Sequence, residues 1–152
     1  MVSDSPLRFD QCNCFAIRQA ARHMTQFYDH FLAPTGLRST QFTILAKLQA
    51  RGPLSVNGLA EQLVMDRTTL GRNIQPLERE GLIEVAPSSE DRRAKEIRLS
   101  KAGIARLRAA APAWDEAQSR FEEAFGRKRS ASLRDILNQV VASDLNTAKG
   151  DA

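Results

Sequence analysis

The sequence predicts a mainly α fold carrying one small β-hairpin, and three observations predict it. Two short amphipathic segments, opened by the capping residues Ser55 and Asp66, follow one another with only a tight link between them. Two alternating apolar–polar runs, around Ile83–Val85 and Ile97–Leu99, bracket a strongly polar loop. Long stretches of helical periodicity stand before and after this core. Together they describe a winged helix-turn-helix flanked by N- and C-terminal dimerisation helices.

In chain order, Gln11 to Leu32 reads as one helix, because Phe15, Ala16, Ala20, Met24, Phe27 and Phe31 recur at helical spacing. Pro34 and Gly36 end it. A second helix runs from Thr40 to Ala50 with Phe42, Leu45 and Leu48 inward, and Gly52-Pro53 breaks the chain again. Ser55 then caps a helix with Val56, Leu59, Ala60 and Leu63 on one face, Leu54 and Leu59 forming its hydrophobic staple. Asp66 repeats the device with Met65 and Leu70, and its helix buries Leu70, Ile74 and Leu77 before Gly81 supplies a left-handed C-cap. Pro76 lies inside that helix and predicts a kink, while the periodicity continues across it. The hairpin encloses the polar loop Pro87 to Lys95, the wing. Ser100 caps a long helix to about Phe125, bent at Pro112, with Ile104, Leu107, Ala111, Trp114, Phe121 and Phe125 in one stripe. The last helix is expected from Ser130 to Leu145.

This gives one domain over residues 1–152, with a winged helix-turn-helix lobe at 38–101 and dimerisation helices at 10–33 and 102–146. The terminal helices carry more apolar surface than the small core can cover, so a second copy of the chain is the expected partner. With 42% of residues apolar the chain is not disordered, and no apolar run reaches the ~20 residues that span a bilayer. Met1 to Asp10 lacks the apolar segment of a signal peptide, and two cysteines make no disulfide scaffold. A cytoplasmic protein is expected. A formal charge of +4 hints at an anionic partner, but the basic residues are spread along the chain, so their placement has to carry the argument.

That placement is specific. With Leu70, Ile74 and Leu77 inward, Thr68, Arg72, Gln75 and Arg79 project outward, and Arg67, Thr69 and Asn73 flank the N-terminal half. These are side chains that read base edges in a major groove: Arg on guanine, Asn and Gln on adenine, Thr on phosphate or a thymine methyl. On the wing, Arg92, Arg93 and Lys95 suit the narrow minor groove beside it, with Asp91 placed to hold an arginine. A solvated helix face and a solvated turn account for either set alone; their succession is far more specific.

The run Pro34-Thr35-Gly36-Leu37, Thr40-Gln41-Phe42, Leu59-Ala60, Asp66-Arg67-Thr68-Thr69, Pro76-Leu77-Glu78-Arg79-Glu80-Gly81-Leu82-Ile83, Asp91-Arg92-Arg93 and Leu99-Ser100-Lys101-Ala102-Gly103 resembles the multiple antibiotic resistance regulator (MarR) family over essentially the whole chain. The resemblance implies a triangular homodimer with two winged lobes on a pseudo-palindromic double-stranded DNA operator. It implies a repressor, released by a small and often anionic aromatic effector bound between dimer and DNA lobes. Arg18, Arg22, His23 and Trp114 are candidates for that pocket, with interface and core as the alternative reading.

Cys12 and Cys14 open the first helix, where two residues of separation would point them to different faces. With only His23 and His30 as further soft ligands, no metal is expected. The segment Phe9-Asp10-Gln11-Cys12-Asn13-Cys14-Phe15-Ala16 resembles the organic-hydroperoxide-sensing (OhrR) branch of the same family. There Cys14 matches the reactive thiol and Tyr28 one of its two tyrosine partners, while Arg18 holds the place of the other. Structural packing and thiol sensing both stand open for Cys14. An enzyme is not expected: the chain has no Gly-rich phosphate loop, no nucleophile–His–acid set and no clustered carboxylates, and no cofactor is implied. A winged-helix module that binds proteins instead of DNA is the reading from another class.

Overall fold

Helix ends leave backbone groups without partners, and the way this chain satisfies them fixes most of its architecture. The computed structural model describes residues 6–145, so the expected boundary at 146 lies outside the described residues. The chain divides into two compact units, Met1–Asp115 and Glu116–Ala152.

The first unit begins with a 3-10 turn, Phe9–Gln11, followed by α1, Asn13–Leu32. The expected start at Gln11 is thus two residues early. Cys12 stays extended and acts as the N-cap, its Sγ accepting the Phe15 N–H at 3.4 Å. It stands before the helix, not on it, so the two-faces argument for Cys12 and Cys14 does not apply. Gly36 takes a left-handed φ of 76° to turn the chain into α2, Ser39–Arg51. Two free N–H groups at its start are met by side chains: Asp29 Oδ1 accepts from Ser39 at 2.6 Å, and Gln41 Oε1 accepts from Arg38 at 3.0 Å.

Next come β1, Leu54–Ser55, and α3, Val56–Leu63, where Ser55 Oγ accepts the Gly58 N–H at 2.9 Å. The helix α4 spans Arg67–Arg79 and runs unbroken through Pro76. Both helices end in the same motif. Gly81 sits at φ 72°, with Leu82 N–H reaching the Leu77 carbonyl and Gly81 N–H that of Glu78. After α3 the left-handed position belongs to Val64, φ 53° and ψ 46°, with Met65 N–H on Ala60 and Val64 N–H on Glu61. A valine there does the work that glycine does after α4.

Strands β2, Ile83–Pro87, and β3, Lys95–Leu99, form the expected hairpin. The sheet has three strands, not two: β1 pairs with β3 through Leu54↔Ile97, giving the order β1-β3-β2. Lys95 lies in β3 opposite Pro87 instead of in the loop. Pro87 is tolerated because β2 is an edge. Helix α5, Lys101–Phe125, starts from Ser100, whose Oγ accepts the Gly103 N–H at 3.0 Å and donates to the Gly81 carbonyl at 2.6 Å. Ser100 therefore ties the wing base to the end of α4. The core holds Leu32, Ile44, Leu45, Leu59, Leu70, Leu77 and Ile97, all fully buried.

In the second unit α6 runs Arg127–Ala142, three residues earlier at both ends than expected. Ser130 resembles a cap in sequence, yet it is buried inside the helix and donates to the Gly126 carbonyl at 2.7 Å. Gly126, at φ 102°, makes the turn. Ile136, Leu137, Val140 and Val141 of α6 are exposed, as are Phe15 and Ile17 of α1. No helix among the described residues is long and apolar enough to cross a membrane.

Candidate nucleic-acid interface

The outward face of α4 is built by its inward one. Leu70, Ile74 and Leu77 are buried, which leaves Arg67, Thr68, Thr69, Arg72 and Gln75 exposed along the other side, with Asn73 half-buried. The N-terminus of α4 is held by Asp66. Its Oδ1 accepts the Thr69 N–H at 2.8 Å and its Oδ2 accepts the Thr69 hydroxyl at 2.7 Å. The Thr69 N–H first, then its hydroxyl, hold the Asp66 carboxyl below the usual aspartate range, so it is a carboxylate at neutral pH. One turn on, Asn73 Nδ2 donates to the Thr69 carbonyl at 2.8 Å. Sequence shows Asp66 as a cap; the structure adds its bond to the Thr69 side chain on the outward face of α4.

The wing loop, 88–94, is closed by Ser88 N–H to the Ala94 carbonyl at 2.8 Å and Ala94 N–H to that of Asp91 at 3.0 Å. Asp91 Oδ1 accepts the main-chain N–H of Arg93 at 3.0 Å. The aspartate thus shapes the turn instead of pinning a guanidinium, because an Asx turn needs no ordering of a long side chain. Arg92, Arg93 and Lys95 are exposed. Among the described residues the salt bridges engage Arg98, Arg106, Arg120 and Arg134. None of them engages Arg67, Arg72, Arg92, Arg93 or Lys95, so these cations are available to phosphate.

The four pocket candidates have different surroundings. Trp114 is stacked on Phe42, with ring centroids 6.0 Å apart and planes 9° from parallel, and packs on the core. Arg18, Arg22 and His23 lie exposed on α1. A different cleft, of about 400 Å³, opens between α1, α2 and α4 and is lined by Thr25, Asp29, Arg38, Gln41, Arg72 and Asn73 among others. Its residues are scattered through the sequence: Thr40, Gln41 and Pro76 lie in the segments that carry the family resemblance, Arg72 and Asn73 on the outward part of α4, and Thr25, Asp29 and Arg38 in neither. Cys14 is exposed in the first turn of α1, and Tyr28 is half-buried with its ring edge-on to Phe27. Fourteen residues of helix separate them, about 21 Å of rise, so they do not meet within one protomer. Among the described residues no cluster of three or more His, Cys, Asp or Glu could hold a metal.

Capped helix, tight turn, second helix with a polar outer face, and a cationic hairpin beside it define a winged helix-turn-helix protein. Comparison with known proteins agrees at each level. The sequence pattern of the MarR family matches residues 37–95. The chain is 32% identical over 90 residues to the organic hydroperoxide resistance transcriptional regulator of Bacillus subtilis, taking in 59% of this chain and 61% of that protein. It is 24% identical over 130 residues to the HTH-type transcriptional repressor NicR of Pseudomonas putida, covering 86% of this chain and 82% of NicR. Among solved structures, the M. tuberculosis transcriptional regulator MosR superposes with a TM-score of 0.76 at 36% identity, over 88% of this chain and 96% of that one. The same regulator in complex with DNA gives 0.74 at 37%, over 87% and 96%. The chain belongs to the MarR family.

Proposed function

We propose that this protein is a homodimeric, sequence-specific DNA-binding transcriptional regulator of the cytoplasm, acting as a repressor and not as an enzyme. The observation that carries the proposal is the two-sided α4: a buried Leu70–Ile74–Leu77 stripe behind an exposed face of Arg67, Thr68, Thr69, Arg72 and Gln75. Its solved relative MosR is a DNA-bound regulator, and NicR is a repressor. In this reading α4 enters the major groove, the wing cations Arg92, Arg93 and Lys95 follow the neighbouring backbone or minor groove, and residues 38–101 form the reading lobe. The exposed apolar faces of α1 and α6, within 10–33 and 102–146, are covered by a second copy, and the dimer reads a pseudo-palindromic operator.

Release follows from the cleft beside α4. Arg38 and Arg72 both line it, which suits a small anionic or aromatic effector, and a ligand there engages a side chain the operator also uses. The test is fluorescence-anisotropy binding to the upstream intergenic DNA and to scrambled DNA across salt. Preference for the upstream DNA, with a loss of about 1–3 kcal/mol and relaxed specificity at one base in Arg72→Ala, supports the reading. Equal weak binding to both favours the protein-interaction module.

A second reading makes oxidation the trigger. Cys14 is exposed in the first turn of α1, two residues after Cys12, whose Sγ is turned onto the helix N-terminus, and the Bacillus relative is a hydroperoxide-resistance regulator. Tyr28 joins such a site only from a second copy. Release of operator DNA by mild peroxide, abolished in Cys14→Ser, supports it; an identical response in the variant removes it.

A further inference from the structure

We propose that Asp66 and Thr69 form an acceptor-only corner at the start of α4, which reads an exocyclic amino group of adenine or cytosine in the major groove. The inference rests on α4 being the DNA-reading helix, and it changes what Thr69 is for. A threonine hydroxyl has one proton and two lone pairs, and it can meet DNA as a donor or as an acceptor. Here the choice is already made. Thr69 Oγ1 lies 2.7 Å from Asp66 Oδ2, and a carboxylate cannot donate, so the hydroxyl proton belongs to that bond. The other carboxylate oxygen is engaged by the Thr69 N–H at 2.8 Å, which holds the carboxylate in place. Asn73, bonded to the Thr69 carbonyl, fixes the same turn from its far side. What Thr69 shows to solvent is a pair of lone pairs and a methyl group.

The groups that DNA offers decide what such a corner can bind. Phosphate oxygens, guanine N7 and O6, adenine N7 and thymine O4 are all acceptors, and they meet another acceptor, with a carboxylate behind it, unfavourably. In the major groove the donors are the N6 amine of adenine and the N4 amine of cytosine. Thr69 is therefore a specificity residue, not a phosphate clamp. The neighbouring Thr68 and Arg67 are exposed and have no such partner, and they remain the donors for the backbone.

The experiment uses the full chain and a duplex selected by the wild type from a random pool. Each adenine is replaced in turn by purine and each cytosine by 2-pyrimidinone, removing the amine alone, and affinities are measured for wild type, Thr69→Ser, Thr69→Val and Asp66→Asn. One position per half-site is expected where loss of the amine weakens wild type and Thr69→Ser about fivefold and leaves Thr69→Val unaffected, the usual size of one hydrogen bond. Which base carries that position separates adenine from cytosine. Asp66→Asn, which frees the hydroxyl to donate, is expected to lose the discrimination. The inference is overturned if every amine deletion costs Thr69→Val as much as wild type. It is also overturned if Thr69→Val instead lowers the salt slope, the mark of a phosphate contact. If the wild type selects no sequence at all, the DNA-reading assignment of α4 fails with it; selection without coupling to Thr69 sinks this inference alone.

Discussion

Gly103 lies in the first turn of α5, where a change to alanine should by helix propensity alone add about 1 kcal/mol of stability. The structure reverses the sign. A β-carbon on Gly103 would overlap the carbonyl oxygen of Leu82 and come within 2.7 Å of Leu99 Cδ1. Neither neighbour can yield easily. The Leu82 carbonyl accepts the Ser100 N–H at 3.1 Å, and the Leu82 N–H closes the α4 C-cap on Leu77 at 2.9 Å. Making room means lifting α5 off the end of α4 and stretching the Ser100 bond. Overpacking of this kind costs about 2 kcal/mol, and a weakened main-chain hydrogen bond about 1 more. Set against the ~1 kcal/mol that helix propensity returns, Gly103→Ala is expected to lose about 2 kcal/mol net and to melt about 6 °C lower. Urea unfolding at one fixed protein concentration measures it, because a dimer's apparent stability depends on concentration. A midpoint equal to or above that of wild type would show that α5 does not press on Leu82, and the account of how the wing base is anchored would be wrong.

Val64→Gly is expected to do the opposite. Valine at φ 53° carries about 1–2 kcal/mol of strain, the side chain is 72% exposed, and the greater freedom of unfolded glycine returns only part of the gain. A net stabilisation of about 0.5–1 kcal/mol should appear as a higher melting temperature, and a lower one would mean the valine packs on something. Asp66 makes acid sensitivity predictable: its folded carboxyl titrates below the unfolded value of about 3.9, so its contribution is present above that pH and disappears as pH falls through the folded value. Asp66→Ser keeps a cap with nothing to titrate and should flatten the stability curve below about pH 4; superimposable acid limbs would refute this. On the wing, Arg93→Ala should weaken operator binding and reduce the salt slope by about one unit, and lost affinity at an unchanged slope would mean that Arg93 does not lie on phosphate.

What the sequence made legible follows the range of the interactions involved. Ser55, Asp66, Gly81 and Ser100 are caps in sequence and caps in the structure, because a cap is a bond between residues three or four apart. The strand Leu54–Ser55 left no trace in the pattern. Two residues cannot alternate, and the strand exists only because Ile97 and Glu96 come back to pair with it. The start of α6 departs from the sequence pattern for a related reason. Ser130 has the chemistry of a cap, but the left-handed turn at Gly126 places it one turn inside, where its hydroxyl bonds backwards. The stacking of the half-buried Trp114 on Phe42 is likewise a contact that periodicity along either helix does not show.

The reading face divides along the same line. Which α4 side chains are exposed was open to periodicity, since Leu70, Ile74 and Leu77 determine it. What each exposed side chain can donate or accept was not, because that depends on its neighbour. The pair Asp66 and Thr69 is the case where the neighbour is close enough to be seen. An aspartate at an N-cap with threonine three positions on predicts both the main-chain and the hydroxyl bond, and with them the polarity of the threonine. Arg72 is the contrary case. It and Asn73 line a cleft with Asp29 of α1 and Arg38 at the start of α2; Asn73 is held locally by its bond to the Thr69 carbonyl, whereas the surroundings of Arg72 include groups far away in the chain. A regulator needs both kinds of residue. On the proposed reading, Thr69, held locally, specifies a sequence whatever occupies the cleft, whereas Arg72, which lines the cleft, is the side chain through which occupancy would be felt at the operator.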